Sequence, residues 1–117
     1  IYQAPYCWES GYEYGEYIIK KGLEFTAVFI GNYQMAEGFI DCMHEYGEDI
    51  PDDISIICFD ETPGMRRSRV STICAEPQKM AAAAVELLTA QIHDPEAATK
   101  RIYEEPVLIK RSSVKHL

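Results

Sequence analysis

Polar side chains follow two apolar stretches of the chain, and they are placed where a small molecule could bind. Asn32 and Tyr33 come directly after FTAVFIG, and Asp60 comes directly after ISIICF. An amide, a phenol and a carboxylate supply both hydrogen-bond donors and acceptors. Asn32 also stands where a helix is predicted to begin, so it has a second interpretation as a helix N-cap. The two roles are compatible, because the first N–H groups of a helix remain available to a ligand.

Other titratable residues show no arrangement typical of an active site. The histidines, His44, His93 and His116, have no partner pattern and are more typical of solvated side chains. Asp52 and Asp53 form a carboxylate pair, but the polar turn after Pro51 explains them as solvated residues. The sequence contains no G-x-S-x-G elbow, no P-loop and no G-x-G-x-x-G stretch. We therefore expect a protein that is not an enzyme and that uses no metal or cofactor.

Alternating helices and strands must position the polar residues. The apolar pattern predicts helices at 11–21, 35–46 and from Pro77 to about Ile92, and strands at 25–30, 54–59, 70–75 and on both sides of Pro106. The first two strands are almost continuously apolar, and we expect them to be parallel, central and buried on both faces. This alternation favours an α/β fold with a mainly parallel sheet. Ligands of such sheets bind beyond the carboxyl ends of the strands, where Asn32 and Asp60 lie.

Local signals suggest where the helices begin and end. The stretch SGYE, residues 10–13, matches a capping box, in which Ser10 and Glu13 satisfy each other's backbone N–H groups. Gly22 and Gly47 follow the first two predicted helices, where glycine commonly ends a helix. The second helix carries Met35, Phe39, Ile40, Met43 and Tyr46 on one face.

Composition and charge exclude several classes of protein. The 117 residues are enough for one small domain, and the formal charge of −8 disfavours binding to nucleic acid or to anionic membranes. Arg66, Arg67 and Arg69 could bind an anion, although most such clusters are solvated loop charges.

The four cysteines contain no C-x-x-C pair, so free thiols in the reducing cytoplasm are favoured over zinc ligands or disulfides. No apolar run is long enough for a membrane span. Because the chain does not begin with Met, we expect a piece of a longer protein.

Several linked motifs resemble LacI/GalR-type bacterial transcription regulators. The segment from 26 to 63, TAVFIGNYQMAEGFIDCMHEYGEDIPDDISIICFDETP, is similar to a strand, Asn-Asp-x-Met-Ala-x-Gly, a helix, Pro-x-Asp-Ile-Ser and Gly-Phe-Asp-Asp/Glu-Thr-Pro in that family. VSTICAEPQKMAAAAVELL resembles the family's Leu-Thr-Thr-Val strand and following helix. EEPVLIKRSSV resembles its Pro-x-Leu-Ile-x-Arg-x-Ser ending, and YCWESGYEYGEYII resembles an aromatic-x-x-Glu-Ser-Gly-Tyr segment. The resemblance covers nearly the whole chain.

The resemblance implies the fold of a periplasmic-binding-protein-like lobe. In that family two α/β lobes, each a Rossmann-like three-layer αβα sandwich, enclose an effector cleft. Residues 1–117 correspond to most of the C-terminal lobe and to a later segment that crosses back between the lobes. The DNA-binding headpiece and most of the N-terminal lobe would lie outside the chain.

The resemblance also assigns site residues. Tyr6 matches the aromatic position that packs against the effector, with a core or rim tyrosine as the alternative. Asn32 matches the family asparagine, and Tyr33 replaces the usual Asp that bonds to effector hydroxyl groups. Asp60 matches the Asp after the strand, for which we favour a structural role at the turn over direct ligand contact. Trp8 could line the cleft, but burial against the first helix is favoured.

The resemblance implies effector sensing and dimerisation in a cytoplasmic transcription regulator. The effector would be a small, sugar-like molecule that binds in the cleft between the lobes. Effector binding would change lobe closure and thereby the spacing of helix-turn-helix headpieces on operator DNA. The helix at 35–46 is expected to join a homodimer, with Ile40 or Cys42 on a second, exposed face. A periplasmic receptor for sugar import is the alternative, because the same fold serves solute capture. An enzyme is a third and more distant alternative.

Overall fold

The computed structural model describes residues 1–22 and 24–116, and within them the chain forms four helices and four strands. The helices are α1 (Trp8–Lys21), α2 (Tyr33–Tyr46), α3 (Pro63–Arg67) and α4 (Pro77–His93). The strands are β1 (Ala27–Ile30), β2 (Ser55–Phe59), β3 (Ser71–Cys74) and β4 (Val107–Ile109). The chain divides into two compact units. The first contains Ile1–Cys74 and the segment that begins at Leu108, and the second contains Ala75–Val107.

The strands form a single sheet in the order β1-β2-β3-β4. β1 runs parallel to β2 with Ile30 opposite Cys58, and β2 runs parallel to β3 with Phe59 opposite Ile73. The predicted α/β class and the parallel pairing of the first two strands are confirmed. The expectation that both strands are central is wrong for β1, which stands at the end of the described strand order.

One face of β1 and β2 carries the core of the first unit. Ile30 and Cys58 are 8% and 0% exposed, whereas Phe29 and Phe59 are 60% and 39% exposed. Successive side chains of a strand point to opposite faces, so the buried residues share the face on which α2 packs. The expected burial of both faces is therefore wrong for these strands. A continuous apolar run permits burial on both faces, but only the α2 face is covered within the first unit.

Helix α1 begins earlier than the sequence predicts. Its first residue is Trp8, and Cys7 occupies the N-cap without a capping side-chain bond. Ser10 is buried inside the first turn, where its hydroxyl oxygen lies 3.2 Å from the Cys7 sulfur. The predicted capping box is therefore wrong, because its residues already belong to the helix. Gly22 ends α1 in the left-handed conformation with φ of 60°, as predicted.

Glycines allow α1 and α2 to pack backbone against backbone. A Cβ added to Gly11 would overlap the Met35 carbonyl oxygen, and one added to Gly38 would overlap the Trp8 carbonyl oxygen. A Cβ on Gly15 would lie 2.7 Å from the sulfur of Cys42. Side chains then join the two helices through hydrogen bonds to carboxylates: Trp8 to Asp41 at 2.8 Å, Tyr12 to Glu45 at 2.7 Å and Tyr46 to Glu16 at 3.0 Å.

Helix α2 is the central helix of the first unit. Phe39, Ile40 and Met43 are buried on its core side, as the apolar pattern predicts, but Tyr46 is 42% exposed. Ile40 and Cys42 are 7% and 0% exposed, so neither supplies the exposed second face that we expected for a dimer. That expectation is wrong because α1 packs across α2 and covers the Cys42 position.

Two other expectations about elements also fail. The basic stretch after Thr62 forms the short helix α3, which Thr62 caps by accepting a hydrogen bond from the Met65 N–H at 3.2 Å. Met65 is fully buried and anchors this helix, although the sequence suggested a loop. Near Pro106 only β4 forms, and residues 101–106 are not a strand. In the second unit, Pro77 opens α4 as predicted.

Candidate functional site

The carboxyl ends of three parallel strands meet at one edge of the sheet. Because Ile30 lies opposite Cys58, the residues two positions further on, Asn32 and Asp60, leave neighbouring strands at equivalent places. Both belong to the first unit. The register thus places these two residues at the carboxyl ends of neighbouring strands, the edge at which open α/β sheets usually bind their ligands.

Asn32 is the N-cap of α2, as predicted. Its Oδ1 accepts hydrogen bonds from the N–H groups of Gln34 at 2.9 Å and of Met35 at 3.4 Å. The cap uses only the amide oxygen, so the Nδ2 donor is not part of it. Asn32 is half-buried at the edge of the sheet. The capping role therefore fixes the side chain, and its NH₂ group can donate to a ligand.

Tyr33 is the first residue of α2, and its ring packs partly buried against the core of the first unit. Its hydroxyl makes no hydrogen bond to another residue of the described ranges. A ring held by packing with a polar tip left over is suited to contact a ligand, as a buried aromatic residue usually pairs its polar end.

Tyr6 lies two residues before α1, and Trp8 is the first residue of that helix. The first turn of α1 touches α2 at Gly38, as the overlap of a Gly38 Cβ with the Trp8 carbonyl oxygen shows. Tyr6 is 70% exposed, so it is a rim residue rather than a core residue within the described structure. Trp8 stacks on Tyr12 at 5.0 Å and donates to Asp41, but it remains 40% exposed. Trp8 thus packs against the first helix, as favoured, without being fully buried.

Asp60 forms the turn that follows β2. Its φ is 79°, in the left-handed region that Asp tolerates better than most residues. Its N–H donates to the Ile73 carbonyl oxygen at 2.9 Å, and its side chain is exposed. The backbone thus has the structural role that we expected. The carboxylate has no hydrogen-bond partner among the described residues, so it is also available to a ligand.

An ion pair between Glu61 and Arg111 lies beside Asp60, and no sequence pattern predicted it. Arg111 holds Glu61 in a bidentate pair, with nitrogen–oxygen distances of 3.0 Å and 2.6 Å. The Thr72 hydroxyl donates to the same carboxylate at 2.7 Å, and Thr72 is fully buried. Burial opposes the charge, but the hydrogen bonds from Arg111 and Thr72 prevail and hold the pKa of Glu61 below its ordinary value. The motifs DETP and KRSS contain the two partners, but their separation by 50 residues gives no local signal.

The other polar candidates have plain structural explanations. Arg66 lies 3.5 Å from Glu61, and Arg69 donates to Ser112 at 3.1 Å, while all three arginines of the stretch 66–69 are exposed. His44 lies exposed in the last turn of α2, as expected. The four cysteines are free, and burial raises the pKa of Cys58 to about 12. No group of three metal-ligating side chains occurs within residues 1–22 and 24–116.

A cavity of about 440 Å³ lies beside β1 and reaches the sheet edge at Gly31. Its lining is largely apolar and aromatic, with Tyr2, Tyr14, Phe29 and Phe39 among the residues. None of the predicted site residues lines it, so they form an open edge rather than this cavity. Among the described residues, no helix is long and apolar enough to cross a membrane.

Comparisons with known proteins agree with the geometry. The family described as "Periplasmic binding protein-like domain" matches residues 1–114. The chain is 36% identical over 109 residues to "HTH-type transcriptional repressor PurR" of Pasteurella multocida, which covers 92% of this chain and 33% of that protein. A LacI-family transcriptional regulatory protein from Corynebacterium glutamicum has a solved structure with 32% identity and a TM-score of 0.79, over 97% of this chain and 44% of that chain. A LacI family transcriptional regulator from Enterococcus faecalis, solved with bound ribose, has 27% identity and a TM-score of 0.88, over 98% of this chain and 43% of that chain.

The chain spans about a third of the length of the curated relatives that it matches.

Proposed function

Because this chain belongs to the periplasmic binding protein-like family and its relatives are LacI-family transcription regulators, we propose that it is part of the effector-binding domain of such a regulator. In this proposal the first unit belongs to the C-terminal lobe, and residues 75–107 are the segment that crosses to the other lobe. The relatives are named as regulators rather than import receptors or enzymes, which favours gene control over solute import and over catalysis.

One observation carries the proposal. Asn32 and Asp60 leave two parallel strands at equivalent positions, and the Asn32 Nδ2 and the Asp60 carboxylate have no hydrogen-bond partner among the described residues. The N-terminus of α2 lies there as well, and the Tyr33 N–H, which has no partner among the described residues, adds a further donor. A polar edge of this kind at the carboxyl ends of parallel strands is the usual binding place in open α/β sheets.

The chemistry of the edge suits a neutral molecule that carries several hydroxyl groups. A carboxylate at Asp60 accepts from hydroxyl groups, and the Asn32 NH₂ group donates to hydroxyl oxygens. The exposed ring of Tyr6 offers a flat apolar surface for the C–H face of a sugar ring. The ribose bound to the related regulator from Enterococcus faecalis supports a sugar-like ligand. Tyr33 has a phenol at the position where the family resemblance has an Asp. We therefore expect this chain to prefer a different sugar from regulators that carry the Asp.

The proposed regulator acts as a homodimer on operator DNA. A sugar in the cleft stabilises the closed arrangement of the lobes, and this differential affinity shifts the population that binds the operator. The acidic chain itself, with a net charge of −8, would not supply the DNA contact, which falls to a helix-turn-helix headpiece.

For the dimer interface, we propose the exposed surface where α2 meets α3. A recess of about 230 Å³ there combines Trp8, Asp41 and Arg67.

Titration calorimetry on the longer regulator, against a panel of pentoses and hexoses that includes ribose, tests the proposal. The matched variants are Asp60→Asn and Asp49→Asn, because both replace an exposed carboxylate by an amide. Asp49 lies in the loop before β2, at the opposite edge of the sheet from Asp60. We expect Asp60→Asn to weaken sugar binding about tenfold, the equivalent of one charged hydrogen bond, and Asp49→Asn to leave it unchanged. Equal affinities in both variants, or no sugar bound at all, would refute the proposed site.

A further inference from the structure

A half-buried cluster of polar side chains fixes the residue that follows Asp60. The Glu61 and Arg111 side chains are 14% and 16% exposed, and their bidentate pair is completed by the Thr72 hydroxyl. The Arg111 guanidinium also donates to the Val70 carbonyl oxygen at 2.6 Å. One arginine therefore joins the loop after β2 to the strand β3, which leads out of the first unit.

The same arginine lies in the segment that returns to the first unit. The chain leaves this unit after Cys74 and re-enters it at Leu108, three residues before Arg111. The Arg111 N–H donates to the Ser71 hydroxyl at 2.9 Å. Two residues later the Ser113 hydroxyl accepts from the Ser71 N–H at 2.7 Å and donates to the Ile56 carbonyl oxygen at 2.6 Å. The main chain around Arg111 is thus held independently of its guanidinium group.

Asp60 has few restraints of its own. Its left-handed backbone is uncommon for a residue other than glycine, and its N–H bond to Ile73 restrains only one side of the turn. The restraint on the other side is Glu61, whose carboxylate is bound by Arg111. The left-handed conformation of this exposed turn costs free energy, so we expect the turn to relax when the bond to Arg111 is lost.

We propose that Arg111 is a positioning residue, which acts through Glu61 to hold the Asp60 carboxylate at the effector edge. The inference rests on the proposed function of that edge. The guanidinium is required for its shape as well as its charge, because it binds both Glu61 oxygens and the Val70 carbonyl oxygen at once. A lysine keeps the charge but has no planar fork, so it cannot reproduce this set of bonds.

Amide hydrogen exchange on this chain without ligand tests the positioning itself. The variant is Arg111→Lys, and the control is Arg69→Lys, which makes the same chemical change at an exposed arginine bonded to Ser112. We expect the Asp60 amide to exchange about tenfold faster in Arg111→Lys, as a local opening, and to be unchanged in Arg69→Lys. The Ser71 amide, bonded to Ser113, should keep its protection and exclude general unfolding. Unchanged exchange at Asp60 would overturn the proposal.

A double-mutant cycle on the longer regulator, with ribose as the probe, tests the consequence for binding. We expect Arg111→Lys to weaken ribose binding about tenfold, and the double variant with Asp60→Asn to bind no more weakly than Asp60→Asn alone. Additive losses would overturn the proposal, because a purely structural role does not depend on Asp60. If ribose does not bind the unaltered regulator, the proposed ligand is wrong, and the exchange experiment decides the role of Arg111 separately.

Discussion

Replacement of Gly38 by alanine tests how closely α1 and α2 must pack to support the site. The added Cβ would overlap the Trp8 carbonyl oxygen, and it would lie 2.8 Å from the Trp8 carbonyl carbon and 3.0 Å from the Tyr12 nitrogen. All three are backbone atoms, so no change of rotamer relieves the overlap and the helices must move apart. Overpacking of a core costs up to about 3 kcal/mol, and the better helix propensity of alanine returns about 1 kcal/mol. We expect a net loss of about 2 kcal/mol.

Urea unfolding followed by circular dichroism measures this loss. The control is Gly31→Ala, because a Cβ at Gly31 meets no atom within 4 Å and no positive φ is required there. The control should change the free energy of unfolding by less than about 0.5 kcal/mol. A Gly38→Ala variant as stable as the unaltered chain would show that the helix contact yields easily, and it would refute the argument from close backbone approach.

Three further predictions concern the edge and its neighbours. Asn32→Ala should lower the free energy of unfolding by about 1 kcal/mol through loss of the cap, measured by urea unfolding, and Asn32→Asp, which retains the cap, should restore most of it. Burial raises the pKa of Cys58 to about 12, so only about one thiol in ten thousand is ionised at pH 8. Mass spectrometry should find Cys58 unmodified by iodoacetamide until the chain is unfolded. The pKa of Glu61 in the folded chain is lowered despite its burial. Its pair with Arg111 therefore stabilises the fold fully above the unfolded pKa of about 4.3, and this stabilisation is lost as the pH falls through the folded pKa. Acid titration of Arg111→Met should lack that part of the stability loss, and an identical pH dependence would contradict it.

Local sequence signals predicted the ends and pairing of several elements correctly where tertiary packing does not oppose them. The Asn32 cap, the Gly22 stop and the parallel pairing of β1 with β2 all follow from sequence patterns and are present. The capping box at Ser10 failed because α1 begins at Trp8, so Ser10 lies inside the first turn, where the helix packs closely on α2. A short motif records a local preference, and a close contact between helices can override it.

The site could be predicted only in part from the sequence. Asn32 and Asp60 were singled out because each directly follows a strand, and the register places them at the ends of neighbouring strands. The pair of Glu61 with Arg111 was missed, since it joins residues 50 positions apart and depends on how the last segment returns to the sheet. The exposure of Phe29 was missed for a similar reason, because apolar sequence does not reveal which face a neighbouring helix covers.

A crystal structure of the longer regulator with its tightest-binding sugar would show directly whether the sugar binds at the edge formed by Asn32 and Asp60. We expect sugar hydroxyl groups within about 3 Å of both the Asn32 amide nitrogen and the Asp60 carboxylate, with the ring of Tyr6 against the sugar. A sugar bound elsewhere, with Asn32 serving only as a helix cap and Asp60 only as a turn residue, would contradict it.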